Sequence, residues 1–245
     1  MKRLISVLLF FIVSMGSAQI PSGEDILQKV DENRIAQNRI GVYAMIVHGR
    51  RGDRTIKAKS WIEGADRSFT EYLAPAREKG TKMLKLEDQL WTYSPSTDRT
   101  IKISGHMLRQ SVMGSDLSYE DMMEDRRLLK LYDAEVIGEE VFLERPCWIL
   151  KMTAKVSDVA YYSRDILVDK EWYLPLKEKR YAKSGKLLKT TEIKSVIKVE
   201  DRWVGERIVF KDELKSGEGT EIVIESVDFD VDIPEHIFSK AALRK

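Results

Sequence analysis

Apolar and polar positions alternate with a period of two along most of the chain beyond residue 41. Between residues 55 and 63, for example, Ile56 and Ala58 alternate with lysines. Such alternation is typical of strands that bury one face. Together with short apolar runs, the pattern predicts strands at residues 42–47, 55–63, 81–86, 90–93, 100–103, 134–137, 147–154, 165–168, 174–181, 187–199, 206–211 and 220–227.

The segments between these strands are short and turn-like, as in Asp169-Lys170 and Ser184-Gly185. Short connections imply an antiparallel meander, because parallel neighbours need long crossovers. A sheet with this many strands must either close into a barrel or curl around a cover. We therefore expect a mainly β protein with a few helices.

Two segments are available to cover the sheet. Ser22 and Asp25 form a helix-capping pattern, after which Ile26 and Val30 fall on one helical face. The second segment, residues 105–130, is rich in methionine and amphipathic. We call residues 105–130 the flap.

A β-hairpin leads into the flap. Trp91 and Tyr93 share one side of the first strand by parity, residues 94–98 have turn chemistry, and Ile101 and Ile103 resume the period of two. We expect the aromatic side of this hairpin to face the flap.

Aromatic side chains opposite flexible thioethers suit an apolar ligand of variable shape. The candidate ligand-binding residues are Trp91, Tyr93, Ile101, Ile103, Met107 and Met113. Ordinary core packing of the flap is the alternative, since methionine also fills gaps in cores.

The N-terminus reads as a cleavable secretory signal. Lys2 and Arg3 precede an apolar run over residues 4–15, and small residues at 16–18 suit cleavage before Gln19. The run is shorter than the roughly 20 residues that span a bilayer. Since no cysteine follows the small residues, lipid modification is not expected. We predict a periplasmic protein that is not lipidated.

Charge and composition narrow the possible partners. Cleavage after residue 18 would leave 39 basic residues against 40 acidic ones, so nucleic acid is not an expected partner. No linker-like or low-complexity stretch divides the rest of the chain. Residues 19–245 are therefore predicted to form a single domain.

Catalytic and metal-binding patterns are missing from the sequence. His48, His106 and His236 stand alone, without cysteine or histidine at metal-ligand spacing, and there is no Gly-x-Ser-x-Gly element. Cys147 is the single cysteine and reads as a small buried apolar residue. We predict no catalytic residues, no metal and no cofactor.

Four sequence elements resemble the outer-membrane lipoprotein-sorting family. They are the Leu-Trp-x-Tyr-x-Pro hairpin at 90–95, the Arg-x-Ile-x-Ile return strand at 99–103, the Met-Gly-Ser-Asp-x-Ser-Tyr-Glu-Asp segment at 113–121, and Ile-Pro-x-x-x-Phe at 233–238. This family is similar to the periplasmic carrier LolA and its receptor LolB. The resemblance implies an unclosed antiparallel β-barrel, a LolA-like half-barrel, with helices as a lid over an apolar cavity for acyl chains. LolA has an Arg-Pro pair before its hairpin, whereas Arg77 here follows Pro75.

The resemblance implies a periplasmic carrier of lipoprotein or lipid acyl chains between envelope membranes. Because the sequence has no phosphate-binding loop, an inner-membrane transporter is the expected partner for loading or release. Two alternatives remain open at this stage. One is a lipid-presenting accessory subunit of an inner-membrane exporter, and the other is a structural envelope protein without cargo.

Overall fold

The computed structural model describes residues 20–35, 38–49, 52–124 and 126–244, and the predicted signal segment lies outside them. Within the described residues, thirteen strands form one antiparallel sheet. The strands are β1 (Arg39–Val47), β2 (Arg54–Glu63), β3 (Arg67–Ala74), β4 (Lys82–Leu86), β5 (Gln89–Ser94), β6 (Arg99–Ile103), β7 (Tyr132–Phe142), β8 (Arg145–Ala154), β9 (Ser163–Asp169), β10 (Pro175–Tyr181), β11 (Leu187–Val199), β12 (Arg202–Asp212) and β13 (Thr220–Phe229).

The sheet is a meander that stays open. Its order is β6-β5-β4-β3-β2-β1-β13-β12-β11-β10-β9-β8-β7, so all neighbours are consecutive in sequence except β1 and β13. In the described part of the chain, β6 and β7 are the edges, and no pairing joins them. The prediction of a mainly β, unclosed antiparallel fold is confirmed.

All the predicted strands occur in the structure. The structure has one further strand, β3, that the pattern of apolar and polar residues did not predict. Phe69 and Tyr72 of β3 are both buried but face opposite sides of the sheet. Because both faces of β3 are covered, its sequence lacks the alternation that marks a half-exposed strand.

Helices cover one face of the sheet, which we call the inner face. The described α-helices are α1 (Gly23–Ile35), α2 (Tyr119–Met122) and α3 (Leu128–Leu131), and short 3₁₀ helices lie at Gly105–Arg109, Val112–Gly114, Glu235–Phe238 and Ala242–Arg244. The predicted cap of α1 is present, since the Ser22 amide and hydroxyl both donate to Asp25, and the Asp25 amide donates to the Ser22 hydroxyl. Helix α1 buries Ile26 and Val30 against β7, β8 and β9.

The C-terminal segment covers part of the opposite, outer face. Ile233, Phe238 and Leu243 pack against Phe69 and Leu84 of strands β3 and β4. Cys147 lies elsewhere in the core, fully buried in a cluster with Leu167, Leu176 and Ile193. Its predicted role as a small buried apolar residue is confirmed. Within the described residues, none of the helices has the length and apolarity needed to cross a membrane.

Candidate functional site

The inner face of strands β1–β6 carries a layer of apolar side chains covered by the flap. The sheet contributes Met45, Ile56, Ala58, Tyr72, Met83, Leu90 and Ile103. The flap contributes Met107, Leu108, Met113, Leu117, Tyr119, Met122 and Met123. Strand pairing explains the sheet side of this layer, because cross-strand partners such as Leu90 and Ile103 point to the same face.

Three of the predicted ligand-binding residues belong to this layer. Ile103 is buried in it, and Met107 and Met113 cover it from the flap. Ile101 lies on the same side of edge strand β6 by its two-residue spacing from Ile103 but is 50% exposed. A role of these residues in ligand binding stays a prediction.

Trp91 and Tyr93 lie on the outer face, so the expectation that they face the flap is wrong. Both pack in the cluster of the C-terminal segment, with Ile233 and Phe238. The register of β5 is continuous from Leu90 to Tyr93. Since Leu90 points inward, the next residue and Tyr93 must point outward.

The first attachment of the flap to the sheet lies in its Gly-Ser-Asp-x-Ser-Tyr-Glu-Asp segment. Ser118 caps α2 and exchanges hydrogen bonds with Asp121, which is three residues later. The Asp116 carboxylate accepts from the Thr220 hydroxyl and from the Asp212 amide, both at 2.9 Å. These contacts attach the flap to β12 and β13 beside the apolar layer.

The second attachment of the flap is a buried ionic cluster, in which Asp121 of the flap contacts side chains of strands β10 and β11. The Asp121 carboxylate accepts from Tyr161 Oη at 2.5 Å, from Lys189 Nζ at 2.5 Å and from Arg180 Nη1 at 3.2 Å. Glu124 of the flap accepts from Arg164. Two flap carboxylates thus face three cations of the sheet.

Glu178 is the sheet carboxylate of this ionic cluster. It accepts from Arg164 Nη1 and Arg180 Nη2, each at 2.8 Å. Burial by itself would raise the pKa of Glu178, but Arg180 and Arg164 outweigh it and lower that pKa to about 2. The pKa of Asp121 is also lowered, because Arg180 and Lys189 outweigh the effect of its burial. Both carboxylates are therefore ionised near neutral pH.

Burial makes the ionic cluster sensitive to the loss of either side. Arg164 is 1% exposed, and burial lowers its pKa to about 10 despite Glu178. Removing one partner of such a buried pair costs about 3–5 kcal/mol, because the other charge is left without compensation. The flap carboxylates consequently contribute to holding the flap closed.

Two further arginines hold the backbone of the flap. Arg54 of β2 donates to the carbonyl of Met113, and Arg34 of α1 donates to the carbonyl of Glu124 at 3.2 Å. Arg77, in contrast, is exposed in the turn after β3 and pairs with its neighbour Glu78.

Sequence reasoning missed the cations that hold the flap. Arg54, Arg164, Arg180 and Lys189 are separated from their flap partners by tens of residues. The sequence held one weak indication of this site, because Arg164 lies only two residues before the apolar run Ile166-Leu167-Val168. A charged residue in a buried strand calls for a partner.

Incomplete packing surrounds α2. A cavity of about 380 Å³ includes Leu108, Met123 and Glu124 in its lining, and a cavity of about 350 Å³ includes Tyr161 and Lys189. Both are lined in part by Glu120, Val159 and Ala160. Their volumes lie at the lower end of the range of about 300–1,000 Å³ that is typical of ligand sites.

Solved structures with the same fold cover nearly the whole chain. A DUF1329 family protein from Desulfovibrio piger is 26% identical, with a TM-score of 0.81 over 90% of this chain and 97% of its own. An outer membrane lipoprotein-sorting domain from Vibrio parahaemolyticus is 23% identical, with a TM-score of 0.79 over 91% and 98%. A LolA superfamily protein from Nitrosomonas europaea is 23% identical, with a TM-score of 0.74 over 91% and 100%.

A family model described as "-like: Uncharacterized protein" matches residues 64–245. The chain belongs to this family and has the LolA-like fold. The resemblance seen in the sequence is thereby confirmed for the fold. No curated protein matches the chain in sequence. Among the described residues of this LolA-like chain, no group of histidine, cysteine, aspartate and glutamate side chains could hold a metal ion.

Proposed function

We propose that this chain is a periplasmic carrier that shelters the acyl chains of a lipid or lipoprotein beneath its flap and moves them between envelope membranes. The observation that carries the proposal is the apolar layer between the flap and strands β1–β6. Its flap side includes the thioethers of Met107, Met113, Met122 and Met123. The LolA-like fold supports a carrier-type role rather than an enzymatic one.

The layer has the chemistry that an acyl chain requires. Each methylene removed from water contributes about 0.8 kcal/mol, so a sixteen-carbon chain contributes roughly 13 kcal/mol. If the flap lifts, acyl chains can replace its side chains against the sheet. Methionine adapts to such replacement, because its unbranched side chain fills spaces of irregular shape.

The attachments of the flap suit a reversible opening. They are polar and lie beside the layer, at Asp116 and Asp121, so the apolar contacts can part without breaking the sheet. Transfer of cargo out of this site is thermodynamically costly, and the sequence has no phosphate-binding loop. We therefore include an inner-membrane transporter as the partner in loading or release.

Lipid analysis of the purified chain tests the proposal. Organic extraction and mass spectrometry should find acyl lipids bound to the native protein, and the delipidated protein should rebind them. Met107→Gln, which makes the layer polar at nearly constant volume, should weaken rebinding. The matched control is Ile237→Gln, which changes an apolar residue of the C-terminal segment on the outer face. Absence of bound lipid, or equal loss in both variants, would contradict the proposal.

A further inference from the structure

We propose that Arg164, Arg180 and Lys189 bind the anionic, phosphate-bearing headgroup of the lipid, and that Asp121 and Glu124 of the flap occupy this site in the empty carrier. The inference rests on the proposed carrier function and names the class of cargo: an anionic lipid. Its basis is a set of three cations on the sheet, of whose three carboxylate partners two belong to a different, separable segment.

The three cations form a row across adjacent strands. Arg164 of β9 pairs in register with Arg180 of β10, which pairs in turn with Lys189 of β11. Like charges directly opposite each other on neighbouring strands are destabilising. An anion between them is therefore needed for this row to be stable.

The sheet supplies too little negative charge of its own. Glu178 neutralises one of the three cations. Asp212, the register partner of Lys189, accepts from the Leu214 amide and lies 3.8 Å from Lys215. The remaining charge comes from Asp121 and Glu124 of the flap, so lifting the flap would leave a net positive site.

The site also retains polar atoms that the flap does not satisfy. Among the described residues, Nε of Arg164, Nε of Arg180 and Oγ1 of Thr191 are buried without a hydrogen-bond partner. Thr191 is the register neighbour of Glu178 on the same face. A phosphate group offers more acceptor oxygens than a carboxylate and matches the planar fork of arginine. It would satisfy this set of donors better than the flap does.

The position of the row suits a headgroup. In strand order it lies between two apolar clusters of the inner face, one under α1 and one under the flap. Lys189 also lines the 350 Å³ cavity, together with Arg109 and Ser118 of the flap and with the acidic residues Glu120 and Asp212. An anion entering there would reach the row while its acyl chains lie on apolar surface.

Binding and opening are then coupled. A headgroup that replaces Asp121 and Glu124 removes the ionic attachment of the flap, and the flap can move from the apolar layer. A zwitterionic lipid carries its own cation and competes less well for the row. The carrier should consequently prefer anionic lipids.

The test compares two short-chain lipids with the same tails, dihexanoyl phosphatidylglycerol and dihexanoyl phosphatidylcholine. Titration calorimetry of the mature chain should show tighter binding of the phosphatidylglycerol. Lys189→Gln should reduce that affinity about tenfold or more, the loss expected for one charge-assisted hydrogen bond, and should not reduce the affinity for phosphatidylcholine. Lys177→Gln, on the same sheet but paired with Glu192 away from the row, is the matched control and should change neither affinity.

A second variant keeps the test decisive if Lys189→Gln fails to fold by circular dichroism. Glu124→Gln weakens the flap's hold on Arg164 and should raise the affinity for phosphatidylglycerol more than that for phosphatidylcholine. Equal affinity of the wild-type chain for both lipids would overturn the headgroup site and leave the carrier function standing. Failure to bind either lipid would instead count against the carrier function. Inorganic phosphate binding as tightly as phosphatidylglycerol would assign the row to free anions and overturn the proposal.

Discussion

Asp116 offers the sharpest test of how the flap is held. Its carboxylate receives two hydrogen bonds, from the hydroxyl of the fully buried Thr220 and from the Asp212 amide. Hydrogen bonds to a charged group are worth about 1.5 kcal/mol or more each, so Asp116→Ala should lower the free energy of flap opening by about 3 kcal/mol. That change corresponds to roughly a hundredfold increase in the opening equilibrium.

Hydrogen exchange followed by mass spectrometry measures this opening. In Asp116→Ala, amides of residues 105–124 should exchange about a hundredfold faster, whereas those of β8 and β9 should keep their protection. Glu225→Ala is the control, because Glu225 lies on β13 and pairs with Lys57 at the surface, where such a pair contributes about 0–1 kcal/mol.

Two results would refute this reasoning. In the first, Asp116→Ala speeds hydrogen exchange of the sheet amides and of the flap amides to the same extent. Asp116 would then support β12 and β13 rather than a separable flap. If the variant and Glu225→Ala behave alike, the hydrogen bonds of Asp116 contribute nothing beyond surface electrostatics. In the first case the flap would be fixed packing, and in the second Asp116 would not be one of its attachments.

Three further predictions concern acid stability, the outer face and the cysteine. Because the folded state lowers the pKa of Glu178 from 4.5 to about 2, its stabilising effect should be complete above pH 4.5 and be lost as the pH falls toward 2. Urea unfolding of wild type and Glu178→Gln across that pH range measures this contribution to the free energy of unfolding. If the stabilities of the two proteins depended on pH in the same way, the prediction would be contradicted. Trp91→Glu should destabilise the fold by about 3 kcal/mol or more, by placing a charge against the C-terminal segment. Selective loss of lipid binding with unchanged unfolding would contradict that placement. Burial raises the pKa of Cys147 to about 11, so a thiol reagent should label it only on unfolding, and rapid labelling of the native chain would be the contrary result.

The sequence by itself determined twelve of the thirteen described strands, the cap of the first helix and the two segments that cover the inner face of the sheet. These features are local, because a period of two and a capping pattern depend on neighbouring residues. The prediction of an open antiparallel fold followed from the short connections. Strand β3 was not predicted, because Phe69 and Tyr72 are buried on opposite faces and the strand therefore lacks the alternation of apolar and polar residues.

Only the tertiary structure decided which face of the hairpin meets the flap and what holds the flap in place. Parity shows that Trp91 and Tyr93 share a side, but which side is inner depends on the segments that pack there. The flap likewise depends on pairs such as Asp121 with Lys189 and Glu124 with Arg164. Their partners are far apart in sequence and meet because the meander brings β9, β10 and β11 beneath the flap. Local patterns carry no information about such contacts, which arise from long-range packing.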